Sequence, residues 1–121
     1  MAGAALVLWV TTLFGPPPRV TPPRLEELAP RARTAADYAE LSCVHVRLAN
    51  QTIQADGAAA TFRTELASAR ALAAEALRRD ARFAALSGGV SALDEAVRDD
   101  DAEAAKVSLA VVLEQCKGLP S

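Results

Sequence analysis

Aromatic side chains are scarce in this chain. One Trp, one Tyr and three Phe make up 4% of its 121 residues, too few for a platform on which bases stack. A surplus of positive charge is missing as well. Thirteen Lys and Arg stand against fifteen Asp and Glu, the two signs are interspersed, and no basic stripe marks a nucleic-acid face. Histidine occurs once, at His45, and cysteine twice, at Cys43 and Cys116. These three residues fall short of a four-ligand zinc site, and no C-x-x-C-H segment offers covalent haem attachment. Glycine-rich phosphate loops are absent, and the serines and threonines have no acid–base partner in a recognisable pattern. No segment alternates apolar and polar residues over a useful length, which leaves no candidate strand. The expectation is a protein that is not an enzyme, carries no cofactor and binds no nucleic acid.

Charge is lacking at the front too. Met1 to Phe14 contains no charged side chain, and the first is Arg19. The run falls short of the roughly 20 residues a membrane-spanning helix needs and is closer to the apolar core of a signal peptide. Yet no Lys or Arg precedes it, and no small-x-small cleavage site follows promptly. Arg19, Arg24, Arg31 and Arg33 lie on its far side, where the positive-inside rule would keep the remainder in the cytoplasm. Either basic residues belong upstream of Met1, or the segment is an uncleaved anchor, or it is an apolar helix packed on the domain. We divide the chain into an apolar leader or anchor over 1–14, with membrane contact through it, a Pro-rich linker over 15–30, and one helical bundle domain over 31–118. The linker contains Gly15-Pro16-Pro17-Pro18 and Thr21-Pro22-Pro23, which favour extended polyproline geometry, with a turn of helix from Arg24 to Ala29.

What the chain has in abundance is alanine, 28 residues of it, and alanine favours helix. Helix A is expected over 31–55, with Tyr38, Leu41, His45, Leu48 and Thr52 on its inward stripe, ending at Asp56-Gly57. Helix B is expected over 58–79, with Phe62, Leu66, Ala69, Ala73 and Leu77 inward and a Glu75–Arg79 pair on the outside. Helix C, over 81–98 and capped by Asp80, repeats Phe83, Leu86, Val90, Leu93 and Val97 at three-four spacing. Gly88-Gly89 predicts a kink or break within it. Helix D begins after Asp100, with Asp100 and Glu103 in the pattern of a capping box. From Ala104 to Leu113 only Lys106 is charged, so helix D is expected to be central or strongly covered. Short connections between successive helices imply an all-α fold, an antiparallel up-down bundle of three to four helices.

Two cysteines behind an apolar leader point to an oxidising compartment and to one disulfide, Cys43–Cys116. Cys116 shares a face with Leu109, Val112 and Leu113, while Cys43 sits on the flank of helix A's stripe beside Val46. The other candidates have bland readings. His45 on an apolar stripe is a partly buried histidine with a local hydrogen bond rather than a haem, metal or phosphotransfer residue. Asp94, Glu95, Asp99, Asp100, Asp101 and Glu103 do not follow the spacing of an EF-hand loop and read as helix caps and a solvated turn. Arg78, Arg79 and Arg82 complement the end of helix B rather than form an anion site. Asn50-Gln51-Thr52 matches a glycosylation sequon inside a helix.

Tyr38-x-x-Leu41-x-Cys43, the run Asp80-Ala81-Arg82-Phe83-Ala84-Ala85-Leu86 and a terminal helix ending at Cys116 resemble a diffuse group of small alanine-rich secreted or envelope proteins of high-GC bacteria. The resemblance covers about two thirds of the chain and is largely compositional. It implies an exported helical domain of unknown role, and the missing clear signal peptide departs from that pattern. The expected function is a non-enzymatic structural or protein-interaction module at the cell envelope, secreted or membrane-anchored. One alternative is a carrier of haem or an apolar molecule held between helices near Tyr38 and His45. Another is a cytoplasmic partner-binding bundle with free thiols.

Overall fold

The computed structural model describes residues 24–55 and 59–119. The apolar leader 1–14, the linker as far as Pro23 and the Asp56-Gly57 helix end lie outside the described residues. The described chain is all-α: α1 (Leu25–Leu28), α2 (Ala35–Ala55), α3 (Ala59–Arg79), a 3-10 turn (Ala81–Phe83), α4 (Ala84–Arg98) and α5 (Ala102–Lys117). The four long helices pack in a ring. Helix α2 lies on α3, α3 on α4, α4 on α5, and α5 returns against α2. Short connections make successive helices antiparallel, as expected for an up-down bundle.

Local chemistry sets the helix boundaries. Helix α2 starts at Ala35 rather than near residue 31 because Thr34 and Asp37 cap each other reciprocally. The Asp37 backbone N–H donates to Thr34 Oγ1 at 3.2 Å. Asp37 Oδ2 accepts from the Thr34 and Arg33 backbone N–H groups at 3.0 and 2.9 Å. Asp80 has extended backbone and accepts from the Arg82 N–H at 3.0 Å, which opens the 3-10 turn ahead of α4. The α4–α5 corner differs from the expected capping box. Asp100 has φ +57° and ends α4: its N–H donates to Val97 O at 3.2 Å, while the Asp101 N–H reaches back to Ala96 O at 2.9 Å. That is a Schellman-type ending, with aspartate where glycine is commonest. The cap of α5 is therefore Asp101, whose carboxylate accepts from the Ala104 N–H at 3.1 Å.

Alanine lets the first two long helices approach closely. The buried face of α3 is Leu66, Ala69, Leu72, Ala73 and Ala76, much as the spacing indicated. The inward face of α2 is rotated from the expected stripe. Tyr38, Ala39, Ser42, Cys43, Val46 and Ala49 are buried, whereas Leu41 and His45 are half-buried and Leu48 is 41% exposed. The larger aliphatic residues drew the expected stripe outward, but tight packing on an alanine-rich neighbour selects small side chains. Ser42 seals this contact by donating its hydroxyl to the Ala69 carbonyl at 2.7 Å.

The 3-10 turn places Phe83, and α4 places Leu86, Val90 and Leu93, in the core as the spacing indicated, while Val97, the last residue of that stripe, is half-buried. Gly88-Gly89 neither breaks nor interrupts it, since α4 runs from Ala84 to Arg98. A Cβ at Gly89 would stand 2.8 Å from Gln115 Oε1 and 3.1 Å from Val112 Cγ2, so this glycine admits α5, while the space at Gly88 is open. Helix α5 is not central. Only Val112 and Cys116 are buried along it, and Val107 and Val111 are 64% and 46% exposed. Ahead of the bundle, Leu25 and Leu28 of α1 pack on the core and Ala29 is buried in it, so the folded unit takes in residues that sequence placed in the linker. Among the described residues, no helix is long and apolar enough to cross a membrane.

Candidate functional site

The cysteines meet where α2 and α5 lie side by side. Cys43 and Cys116 form a disulfide with a Cα separation of 5.8 Å, linking positions 73 apart in sequence. Both are buried. Cys116 points inward beside Val112, as the face of α5 indicated. Cys43, placed by its sequence pattern on the flank of α2, instead belongs to the buried face, because that face is centred on Ser42, Cys43 and Val46. The bond thus joins the first half of α2 to the last turn of α5.

His45, the lone histidine, is tied to Glu65 of α3, with Nδ1 and Oε2 2.5 Å apart and both side chains about one-fifth exposed. This partner was not legible in sequence. The pairing joins two helices across twenty positions, with no local spacing to signal it. The remaining buried charges are arginine clamps. Glu75, expected on the outside, is buried. Its carboxylate accepts from Arg78 Nε at 2.9 Å and Nη2 at 2.5 Å, and from Arg79 Nε at 2.8 Å. The Arg78 hydrogen bonds first, then that of Arg79, outweigh desolvation and hold its pKa at about 2. The same contact raises the pKa of Arg78. Arg79 also lies 4.7 Å from the Tyr38 ring centroid and donates to the Arg33 carbonyl at 3.3 Å. Arg82 pairs with Asp80 at 3.1 Å and sits 4.9 Å from the Phe83 ring centroid. The arginine group read from sequence is therefore occupied by its own acids and rings. At the capping carboxylate Asp37, the Arg33 and then the Thr34 backbone N–H groups lower the pKa.

The acidic run divides by role. Asp94 is buried between Arg70 of α3, at 2.7 Å, and Arg98, at 3.1 Å. Asp100 closes α4, Asp101 caps α5, and Glu95, Asp99 and Glu103 are exposed. Among the described residues, no group of three or more His, Cys, Asp or Glu could hold a metal ion. A surface recess of about 320 Å³ lies where α1 turns into α2, lined by Leu28, Pro30, Arg31, Asp37, Glu40 and Leu41 among others. Neither Tyr38 nor His45 lines it. Asn50-Gln51-Thr52 falls inside α2. The chain matches no family model, no curated protein and no solved structure.

Proposed function

We propose that this protein is an exported, non-enzymatic helical domain that acts as a structural or protein-interaction module at the cell envelope, held closed by one disulfide. The observation that carries the reading is the Cys43–Cys116 bond, which ties α2 to the end of the chain's last helix and uses both cysteines. Disulfides persist in oxidising compartments and add most to small domains with modest cores. The apolar run Met1–Phe14 and the resemblance to small alanine-rich envelope proteins favour the same compartment. The commitment of the ionisable groups to structure supports a non-catalytic role: His45 pairs with Glu65, and Glu75 and Asp94 are each clamped by two arginines.

The test is an intact-mass measurement with and without reductant on protein recovered from its native compartment after thiol blocking. A bonded, unalkylated pair in the envelope or medium fraction is the expected result, and the same mass reports whether residues 1–14 remain attached. Two alkylated thiols in a cytoplasmic fraction would replace this reading with the intracellular partner-binding bundle.

A further inference from the structure

The outer face of α5 is apolar at its middle and charged toward both ends, where sequence led one to expect cover. Glu103, Val107, Ala110, Glu114 and Lys117 recur along α5 at the four-three spacing of a helix-pairing seam. This seam lies opposite Val112 and Cys116, the two buried residues of the helix. Val107 and Val111 are the exposed large hydrophobics of α5, and Ala110 between them is exposed and small enough for close helix approach.

The charges around this strip have a symmetry of their own. Ala110 is the midpoint between Glu103 and Lys117 and also the midpoint between Lys106 and Glu114. A second copy of α5 laid antiparallel across Ala110 would set Glu103 against the other copy's lysine near its C-terminal end, and Lys106 against the other copy's glutamate. All four contacts are then between opposite charges. A parallel arrangement sets like on like at every one. Each of these side chains is available, with exposures of 88% and 76% at Glu103 and Lys106 and 74% and 72% at Glu114 and Lys117. Within one chain, among the described residues, Lys106 meets Glu103 and Lys117 meets Glu114 as i,i+3 neighbours, at 3.8 and 3.2 Å, and exposed pairs of that kind contribute little.

We infer that the protein self-associates as a two-fold dimer through antiparallel pairing of α5 about Ala110, its occupant being a second copy of this chain. The α5 rod is about 24 Å long. A single-helix contact falls at the small end of interface sizes, so the dimer is concentration-dependent and, because its rim is ionic, weakened by salt. This inference stands apart from the question of export, since both sets of residues are present in either compartment.

Sedimentation of the full chain over a concentration series tests it. Wild type is expected to pass from monomer to dimer. The Glu103→Lys/Glu114→Lys protein and the Lys106→Glu/Lys117→Glu protein are each expected to remain monomeric, and an equal mixture of the two to recover the dimer. Their helical circular dichroism should match wild type, because all four sites are on the surface. As a register test, Ala110→Cys is expected to form an intermolecular disulfide with its own copy under mild oxidation. A chain that stays monomeric throughout overturns the inference. So does a dimer indifferent to the charge exchanges, which would arise from another surface such as residues 1–14.

Discussion

Glu75 shows how one residue couples this fold to pH. Its carboxylate is buried against Arg78 and Arg79, and its pKa is held at about 2 against an ordinary value of 4.5. Between those values the unfolded chain binds a proton that the folded chain refuses. The contribution of Glu75 is therefore complete above pH 4.5 and is lost as pH falls toward 2. Urea midpoints measured from pH 6 to pH 2 should decline through that window, and Glu75→Gln should flatten the decline while lowering stability at neutral pH. A parallel decline in both proteins would mean that other carboxylates carry the acid sensitivity. Leu93 is 1% exposed and packs with Ala49 of α2 and Leu66 of α3. Its truncation to alanine should cost roughly 2–5 kcal/mol, and a near-zero loss in a denaturant titration would place this side chain outside the core. For His45 the expectation is modest. His45→Gln removes a half-buried pair whose remaining carboxylate can reach water, so thermal denaturation should report a loss of about 1 kcal/mol, with the α5-mediated association unchanged.

At the scale of the element, α4 separates two glycines that look alike in sequence. A Cβ at Gly88 would have open space for 4 Å around it, whereas Gly89 faces Gln115 and Val112 of α5. Gly88→Ala should stabilise the protein by up to about 1 kcal/mol through helix propensity. Gly89→Ala gains the same propensity but forces Gln115 and Val112 to give way, so its melting temperature should fall below that of Gly88→Ala. Equal gains would show that the α4–α5 contact relaxes without cost. The same pair illustrates what could be read from sequence. The heptad of the 3-10 turn and α4 was legible because Phe83, Leu86, Val90 and Leu93 are large, closely spaced and set among small residues. The break at Gly88-Gly89 was a propensity argument, and helix packing overrode it. The face of α2 is rotated from the expected stripe because three of its buried residues, Ala39, Ser42 and Ala49, carry little hydrophobic signal, while Leu48 carries much and is exposed. Asp100 reads as the start of α5 because aspartate suits a helix start. The bonds that make it the end of α4 depend on a positive φ, which composition does not reveal. The His45–Glu65 and Arg70–Asp94 contacts bridge different helices and obey no local period, so only the assembled bundle displays them.

For the whole molecule, the decisive constraint is the bond from Cys43 to Cys116. The cysteine count and the facing of Cys116 made that pairing legible, and the 5.8 Å Cα separation fits a bridged pair. It encloses most of α2, all of α3 and α4 and nearly all of α5, so the unfolded chain loses much of its freedom when it is bonded. The loop-entropy relation gives about 4.5 kcal/mol for a closure of this length, as an upper figure, against total stabilities of about 5–15 kcal/mol for small domains. Comparing oxidised and reduced wild type isolates this effect better than substitution does. Free thiols are tolerated in apolar interiors, so the native packing of Cys43 beside Val46 and of Cys116 beside Val112 need not change. Two signatures are expected in urea. Reduction should lower the midpoint, by several kcal/mol when converted to free energy. It should also steepen the transition, because an unlinked unfolded chain exposes more surface than a cross-linked one. A lower midpoint with an unchanged slope would assign the stabilisation to the native state. Coincident curves would mean that the helices hold one another without the clasp, and the bond would then serve to retain the C-terminal turn of α5 rather than the fold.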